Sequence, residues 1–228
     1  MLGYLQAITR PDISMASHQC ARFVANPKLS HERAVKRIAK YLRQTKLLGL
    51  IMQPKPMKGI ECYVDADFAG VWIPYDPTDN RNLLFRDGFI IMFCGCAISW
   101  VSKLESVIAL STAESEYITL SMEMRQVLPL LELMKEVNVY LKIEELPSPK
   151  VYCRVFEDNE SSISIATNNI FFPRTKYIEL RYHHFRGHVK DGTIKIQHVS
   201  TEDQLADMFT KPIELSSLAS NRKGIMGW

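Results

Sequence analysis

The order of apolar patterns after residue 58 constrains the fold of this chain more than any other sequence feature. Three strand-like runs come first, then one long helical pattern with Pro129 as an expected kink, then shorter strands and helices in alternation. Strands are predicted at residues 60–67, 88–95, 97–106, 150–159 and 193–199. Helices are predicted at residues 111–137, 161–167, 182–190 and 201–210, and a polar loop at 71–87. This order predicts an α/β fold with a mixed five-stranded sheet and helices on both faces.

The first 58 residues have a different character and are predicted to be helical. The second of two predicted helices begins at Ser30, a suitable N-cap, and continues to residue 46. One face of it is basic, and this face consists of Arg33, Lys36, Arg37, Lys40, Arg43 and Lys46. Such a face suits either contact with phosphates or simple solvation. The stretch "QPKPMKG" at 53–59 is typical of a linker, so we expect a short helical domain at 1–58 and a larger domain at 59–228.

Composition excludes several classes of protein. The 228 residues are 46% hydrophobic, which is enough for a large core. No apolar run approaches the roughly 20 residues that a membrane-spanning helix needs, and the N-terminus lacks the pattern of a secretory signal. The five cysteines are an odd, scattered set, which predicts reduced thiols, no disulfides and an intracellular protein.

Acidic residues recur at the ends of the predicted elements, and these residues are Asp65, Glu114, Glu116, Asp158, Asp203 and Asp207. Ends of adjacent strands lie at one edge of a sheet, where gathered carboxylates repel one another unless a cation neutralises them. Carboxylate oxygens are hard ligands that suit Mg²⁺ or Mn²⁺. The pattern therefore predicts a divalent-metal site at this edge.

Helical geometry separates the acids near residue 111. Ser111 and Glu114 fit a capping box, in which the Glu114 side chain bonds to the Ser111 backbone N–H. Glu116 points about 200° away from Glu114 around the helix, so both cannot face one site, and Glu116 is the predicted ligand. A second capping box is predicted at Thr201, after which Asp203 and Asp207 share a helix face and either could reach a metal.

Six segments carry a family resemblance, and they are "RPDISMASHQCARFVANPKLSHERAVKRIAKYLRQT", "YVDADFAG", "AISWVSKLESVIALSTAESEYITLS", "FEDNESSI", "PRTKYIELRYHHFRGHV" and "STEDQLADMFTKP". Together they resemble the C-terminal end of copia-type retrotransposon Pol polyproteins, which comprises the tail of the reverse transcriptase and its ribonuclease H domain. The resemblance implies a ribonuclease H-like fold and a two-metal site. Its four acids correspond to Asp65, Glu116, Asp158 and Asp207, and the Ala206-Asp207 pair selects Asp207 over Asp203.

The implied activity is hydrolysis of the RNA strand of an RNA/DNA hybrid, with two Mg²⁺ or Mn²⁺ ions as cofactors. The implied partner is the remainder of the reverse transcriptase in the parent polyprotein, in a cytoplasmic virus-like particle or in the nucleus. This chain covers only the tail of that enzyme, so we expect no polymerase activity. An alternative is a recruited or decayed domain that is catalytically inactive and binds nucleic acid or protein. An integrase-like transferase is disfavoured because its glutamate would come after Asp158, whereas Glu116 precedes it.

Basic residues and histidines complete the candidate site. Predicted nucleic-acid contacts are Arg33, Arg37, Lys40, Arg174, Lys176 and Arg181. His198, just before the last acidic segment, is a candidate for helping product leave, although a lone histidine is more often structural. A zinc site at His184 and His188 is disfavoured because the sequence lacks the CxxC spacing that usually accompanies one.

Overall fold

The computed structural model describes residues 1–68, 84–141, 151–168, 178 and 180–228. The strands in this part of the chain are β1 (Ile60–Asp67), β2 (Arg86–Phe93), β3 (Cys96–Leu104), β4 (Cys153–Glu157) and β5 (Ile194–His198). They form one sheet in the order β3-β2-β1-β4-β5. The strand β2 is antiparallel to both of its neighbours, whereas β1, β4 and β5 are parallel to one another. The predicted mixed five-stranded α/β fold is confirmed.

Helices cover both faces of this sheet. Before the sheet lie α1 (Leu2–Ile8), α2 (Ser14–Ala21) and α3 (Leu29–Gln44). After β3 come α4 (Thr112–Tyr140), α5 (Glu160–Thr167), α6 (Arg186–Lys190), α7 (Asp207–Thr210) and α8 (Leu215–Met226). Short 3-10 helices occur at Pro11–Ile13, Pro56–Lys58, Leu180–His183 and Thr201–Asp203.

The sheet has an apolar core on each of its two faces, because successive residues of a strand point to opposite faces. On one face, Cys62 and Val64 of β1 pack with Tyr117, Leu120 and Met124 of α4. The other core joins β2 and β3 to α7 and α8, and its buried members are Ile90, Met92, Ala97, Met208, Phe209, Ile225 and Met226. The long helix α4 continues through Pro129.

Several predicted element ends are wrong. The helix α3 has Lys28 rather than Ser30 at its N-cap, and the Lys28 backbone N–H donates to Nδ1 of His31 at 3.0 Å. Of the predicted polar loop at 71–87, residues 71–83 lie outside the described part of the chain, while Arg86 and Asp87 begin β2 and are buried. The final predicted helix is two short pieces, because residues 204–206 between the 3-10 turn and α7 are not helical.

The first 58 residues pack directly against the rest of the chain. The indole Nε1 of Trp100 on β3 donates to the carbonyl of Gln6 at 2.6 Å. At the other end, the backbone N–H of Ile51 donates to the carbonyl of Met226 at 3.0 Å, and Nε1 of Trp228 donates to the carbonyl of Gly49 at 2.8 Å. The domain boundary near residue 58 stays a prediction. The segments on the two sides of it are in direct contact.

All five cysteines are free thiols in the structure, and Cys62, Cys96 and Cys153 are buried. Within the described ranges, no helix is both long enough and apolar enough to cross a membrane.

Candidate active site

Three of the predicted acids meet at one edge of the sheet. Asp65 lies on β1, Asp158 directly follows β4, and Glu116 lies in the second turn of α4, which packs across β1. Because β1 and β4 are parallel neighbours, their carboxyl ends lie at the same edge. One carboxylate oxygen from each of the three residues lies within 4.8 Å of the other two. The topology therefore produces the convergence that the sequence could only suggest.

The start of α4 assigns different positions to its two glutamates. Ser111 caps the helix, and its Oγ accepts from the Glu114 backbone N–H at 3.2 Å. The Glu114 carboxylate turns back to accept from the Leu110 backbone N–H at 2.8 Å, one residue before the predicted partner Ser111. Glu116 is only 3% exposed and faces Asp65 and Asp158. Glu114 thus stabilises the helix end, and Glu116 faces the acid cluster.

Burial destabilises the ionised form of these acids. It raises the pKa of Asp65 to about 6, a shift that the Lys211 ammonium opposes and Asp207 enhances. Burial likewise raises the pKa of Glu116 well above its ordinary value, and the nearby carboxylates of Glu157 and Asp65 raise it further. Glu116 Oε2 is buried and has no hydrogen-bond partner within the described residues. An orphaned carboxylate oxygen beside two other carboxylates is a donor set that fits a hard divalent cation.

The fourth predicted acid, Asp207, lies at the start of α7 together with a lysine that sequence reasoning missed. Nζ of Lys211 lies 2.8 Å from Asp207 Oδ1 and 3.7 Å from Asp65 Oδ1. The Thr210 hydroxyl donates to Asp65 Oδ2. The signal for Lys211 was present in the sequence as an acid and a base four residues apart.

Close packing of α7 on the sheet depends on Gly88, which pairs with Asp65 across β1 and β2. A Cβ at Gly88 would lie 2.6 Å from Thr210 Cγ2 and 2.7 Å from Phe209 Cβ, so any side chain here would displace α7. Buried Gln204 fixes the approach to α7, because its Nε2 donates to the carbonyl of Val64 at 2.8 Å. These contacts place Asp207 beside Asp65.

The segment before α7 differs from the predicted capping box. The Thr201 hydroxyl donates to Asp158 Oδ2 at 3.2 Å, so Thr201 contacts the acid cluster instead of capping a helix. Asp203 is exposed and accepts from the Ser200 hydroxyl at 2.8 Å. Because residues 204–206 are not helical, Asp203 and Asp207 do not share a helix face.

Glu157 is a fifth carboxylate that the sequence analysis did not select. It is fully buried at the end of β4, and its Oε1 accepts from the Asn159 backbone N–H at 3.1 Å. Its Oε2 has no hydrogen-bond partner in the described part of the chain. Burial raises its pKa well above the ordinary value. The strand period would have identified Glu157. Cys153, Val155 and Glu157 are two residues apart, so they lie on the same, buried face of β4.

The other predicted residues lie on surfaces or outside the described ranges. Arg33, Arg37 and Lys40 are exposed along α3, and Arg181 is exposed with its guanidinium over the Tyr182 ring. His198 is exposed at the end of β5, opposite Glu157 in the β4–β5 ladder. Arg174 and Lys176 lie outside the described residues.

His184 and His188, which were considered for zinc, and the adjacent His183 have other contacts. Nδ1 of His183 lies 2.6 Å from the Tyr117 hydroxyl, and Nδ1 of His184 lies 3.4 Å from Ser121 Oγ. Nδ1 of His188 lies 3.9 Å from Asp191 Oδ2.

Curated relatives of this chain match it over almost its whole length. The retrovirus-related Pol polyprotein from transposon TNT 1-94 of Nicotiana tabacum is 37% identical over 214 residues, which are 93% of this chain and 15% of that polyprotein. The retrovirus-related Pol polyprotein from transposon RE1 of Arabidopsis thaliana is 33% identical over 215 residues, again 93% of this chain and 14% of that polyprotein. The chain thus spans only a small part of the length of these relatives.

No family model matches the chain. Among solved structures, the N-terminal RNase H domain of Rv2228c from Mycobacterium tuberculosis, fused to maltose binding protein, superposes with a TM-score of 0.44 at 9% identity. The superposition covers 72% of this chain and 96% of that chain.

Proposed function

Because the chain belongs to the retrovirus-related Pol polyproteins of copia-type transposons, we propose that it acts as their ribonuclease H and hydrolyses the RNA strand of RNA/DNA hybrids. The observation that carries this proposal is the meeting of Asp65, Glu116 and Asp158 at one edge of the sheet. Two-metal nuclease chemistry at a phosphate uses such a group of carboxylates to hold hard cations. Action within the larger polyprotein, in the intracellular setting of retrotransposition, is part of the proposal.

The proposal assigns the acids to two ion positions that share Asp65. Glu116 and Asp158, whose carboxylate oxygens lie within 4.8 Å of one from Asp65, would hold one Mg²⁺ or Mn²⁺ ion with it. Asp207 approaches from α7 and, with Asp65, would hold a second ion. Asp65 is therefore the carboxylate that both ions would share. When bound, such a pair of ions activates a water molecule for attack on the phosphate and stabilises the departing 3′ oxygen.

The chain's own residues orient these carboxylates. The hydroxyl of Thr210 donates to Asp65, and the hydroxyl of Thr201 donates to Asp158. For Glu116, burial raises the pKa most, and the backbone N–H of Ala66 on β1 acts in the opposite direction by favouring the ionised form. Since each of these acids is held by a neighbouring element, little reorganisation is needed at the moment of reaction. His198, exposed beside the end of β4, is the candidate for assisting product release.

Basic side chains would guide the hybrid. Arg33, Arg37 and Lys40 project into solvent from α3, and Arg181 is exposed in the 3-10 helix that precedes α6. Phosphate contacts of this kind contribute affinity, whereas the choice of the RNA strand would depend on 2′-hydroxyls in the wide minor groove. Arg174 and Lys176 belong to the same proposal on sequence grounds.

The experiment incubates the purified chain with an end-labelled RNA/DNA hybrid in Mg²⁺, in Mn²⁺ and in chelator. RNA/RNA and DNA/DNA duplexes of the same sequence are the substrate controls, and the Asp65→Asn variant controls for contaminating nuclease. We expect cation-dependent cleavage of RNA in the hybrid only. Absence of cleavage in both metals by folded protein would favour the alternative of an inactive domain that binds nucleic acid or protein.

A further inference from the structure

The acid cluster contains a positively charged side chain, that of Lys211. Nζ of Lys211 lies 2.8 Å from Asp207 Oδ1 and 3.7 Å from Asp65 Oδ1, and its side chain is 34% exposed. The second oxygen of Asp65 accepts from Thr210. By contrast, Glu116 and Asp158 make no ion pair within the described residues. The lysine therefore makes its direct ion pairs with Asp65 and Asp207 and not with Glu116 or Asp158.

This contact is built into the fold. Lys211 directly follows α7, and the close approach of α7 to the sheet needs the missing side chain at Gly88. Gln204, anchored to β1 through the carbonyl of Val64, fixes the chain just before α7. The packing that places Asp207 beside Asp65 thus also places Lys211 beside both.

We propose that Lys211 is a positioning residue that serves as an internal counter-ion for Asp65 and Asp207 and sets how tightly their side of the cluster binds a divalent cation. The inference rests on the proposed function, because it concerns the same acids. A cation that takes Asp207 Oδ1 as a ligand must displace the ammonium group from it, and the positive charge nearby lowers the affinity further. In return, the lysine stabilises two facing carboxylates when no cation is bound.

The test measures cation binding without nucleic acid. Mn²⁺ and Ca²⁺ are titrated calorimetrically into the wild-type chain, Lys211→Gln and Lys211→Arg, and the thermal midpoint of each is recorded in chelator. Glutamine keeps a hydrogen-bond donor but removes the charge, so the variant should fold. We expect Lys211→Gln to bind cations at least about tenfold more tightly, a gain of about 1.4 kcal/mol, because the repulsion between the ammonium and a nearby ion is doubled by the ion's two charges. Lys211→Arg should resemble the wild type.

Lys103 offers a matched control. It also pairs with a buried carboxylate, Glu105, at 2.5 Å and is 48% exposed, but it belongs to a different acid cluster. Lys103→Gln should lower the thermal midpoint without changing cation affinity. Equal or weaker cation binding by Lys211→Gln, equal gains in both variants, or no cation binding by any of them would overturn the inference. Cation binding with the expected differences but no hybrid cleavage would refute the proposed function alone.

Discussion

Nη2 of Arg86 donates to Oε1 of Gln19 at 2.6 Å, and this bond joins the central sheet to the first 58 residues. Arg86 is 1% exposed, and its Nη1 also lies 2.9 Å from His18 Nδ1 and donates to Ser102 Oγ at 3.2 Å. Two of these three partners belong to α2. The sheet therefore contains a buried guanidinium whose hydrogen bonds come largely from the preceding segment.

Removing residues 1–58 should destabilise the remaining chain strongly. Arg86 would keep Ser102 but would no longer bond to Gln19 and His18, and hydrogen bonds to a charged group typically contribute about 1.5–3 kcal/mol each. Denaturant unfolding of 59–228 and of the full chain measures the difference. Arg86→Met in the shorter chain should recover part of the stability, because it removes the orphaned charge. Equal stability of the long and short chains would show that α2 contributes nothing to the sheet.

Replacing Asp65 by Asn should abolish hybrid cleavage while preserving the fold. The change is nearly isosteric and leaves an acceptor for the Thr210 hydroxyl, but it removes the carboxylate that both cations would share. In chelator we expect a thermal midpoint at or above that of the wild type, because repulsion with neighbouring carboxylates is relieved. Cleavage assays and thermal melting, run side by side, separate the two effects. Full activity of this variant would remove Asp65 from the proposed site.

Glu114 and Glu116 form a matched pair on one helix. Glu114→Gln should be mild, since glutamine can still accept from the Leu110 backbone N–H. Glu116→Gln should reduce cleavage by orders of magnitude, because it removes a ligand from the group of three acids. The readout is the rate of hybrid cleavage at saturating Mg²⁺. The opposite ranking would mean that Glu114, and not Glu116, is the ligand that α4 supplies.

The role of the basic face of α3 should be visible in how the affinity for the hybrid depends on salt concentration. If Arg33, Arg37 and Lys40 contact phosphates, changing all three to glutamine should weaken hybrid binding. Each phosphate contact that the substitutions remove should also flatten the slope of log affinity against log salt by somewhat under one unit. Binding is measured in Ca²⁺ at several salt concentrations. The control is Lys36→Gln, which removes a charge already paired with Glu32 at 2.5 Å. An unchanged slope in the triple variant would identify a solvated face.

Glu123 should make stability depend on pH. It is 2% exposed, and burial, assisted by Asp87 and Glu105, raises its pKa well above the ordinary value. Because the folded-state pKa is raised, stability should fall as pH rises above about 4.3, where the unfolded glutamate ionises first. Glu123→Gln should therefore stabilise the protein by about 1–3 kcal/mol at pH 7 and by little near pH 4.

Glu105 is the control of opposite sign. Burial would raise its pKa, but hydrogen bonds with Lys103 and Asp87 outweigh burial and lower it. Its ionised form therefore supports the fold above about pH 4.3, and that support disappears as pH falls. Glu105→Gln should destabilise the protein at pH 7. Unfolding free energies at several pH values measure both variants, and the same sign for both would contradict these assignments.

Sequence reasoning identified the features that depend on local periodicity. The first strand occupies the predicted residues 60–67, and α5 differs from its prediction by one residue at its start. Ser111 and the separate positions of Glu114 and Glu116 followed from helical geometry alone. These predictions held because side-chain direction in a strand or helix repeats with a fixed period along the chain.

Tertiary structure alone decided the contacts between segments that lie far apart in sequence. Lys211 reaches Asp65 only because Gly88 lets α7 approach the sheet, and Thr201 reaches Asp158 because the predicted final helix is interrupted at 204–206. The burial of Arg86 depends likewise on α2, 67 residues earlier. No local pattern encodes these approaches, because each depends on how closely two packed elements can come together. The sequence by itself indicated Asp65, Glu116 and Asp158 as acids at the ends of elements, because local periodicity sets those positions, whereas packing brought them together and determined which other groups surround them.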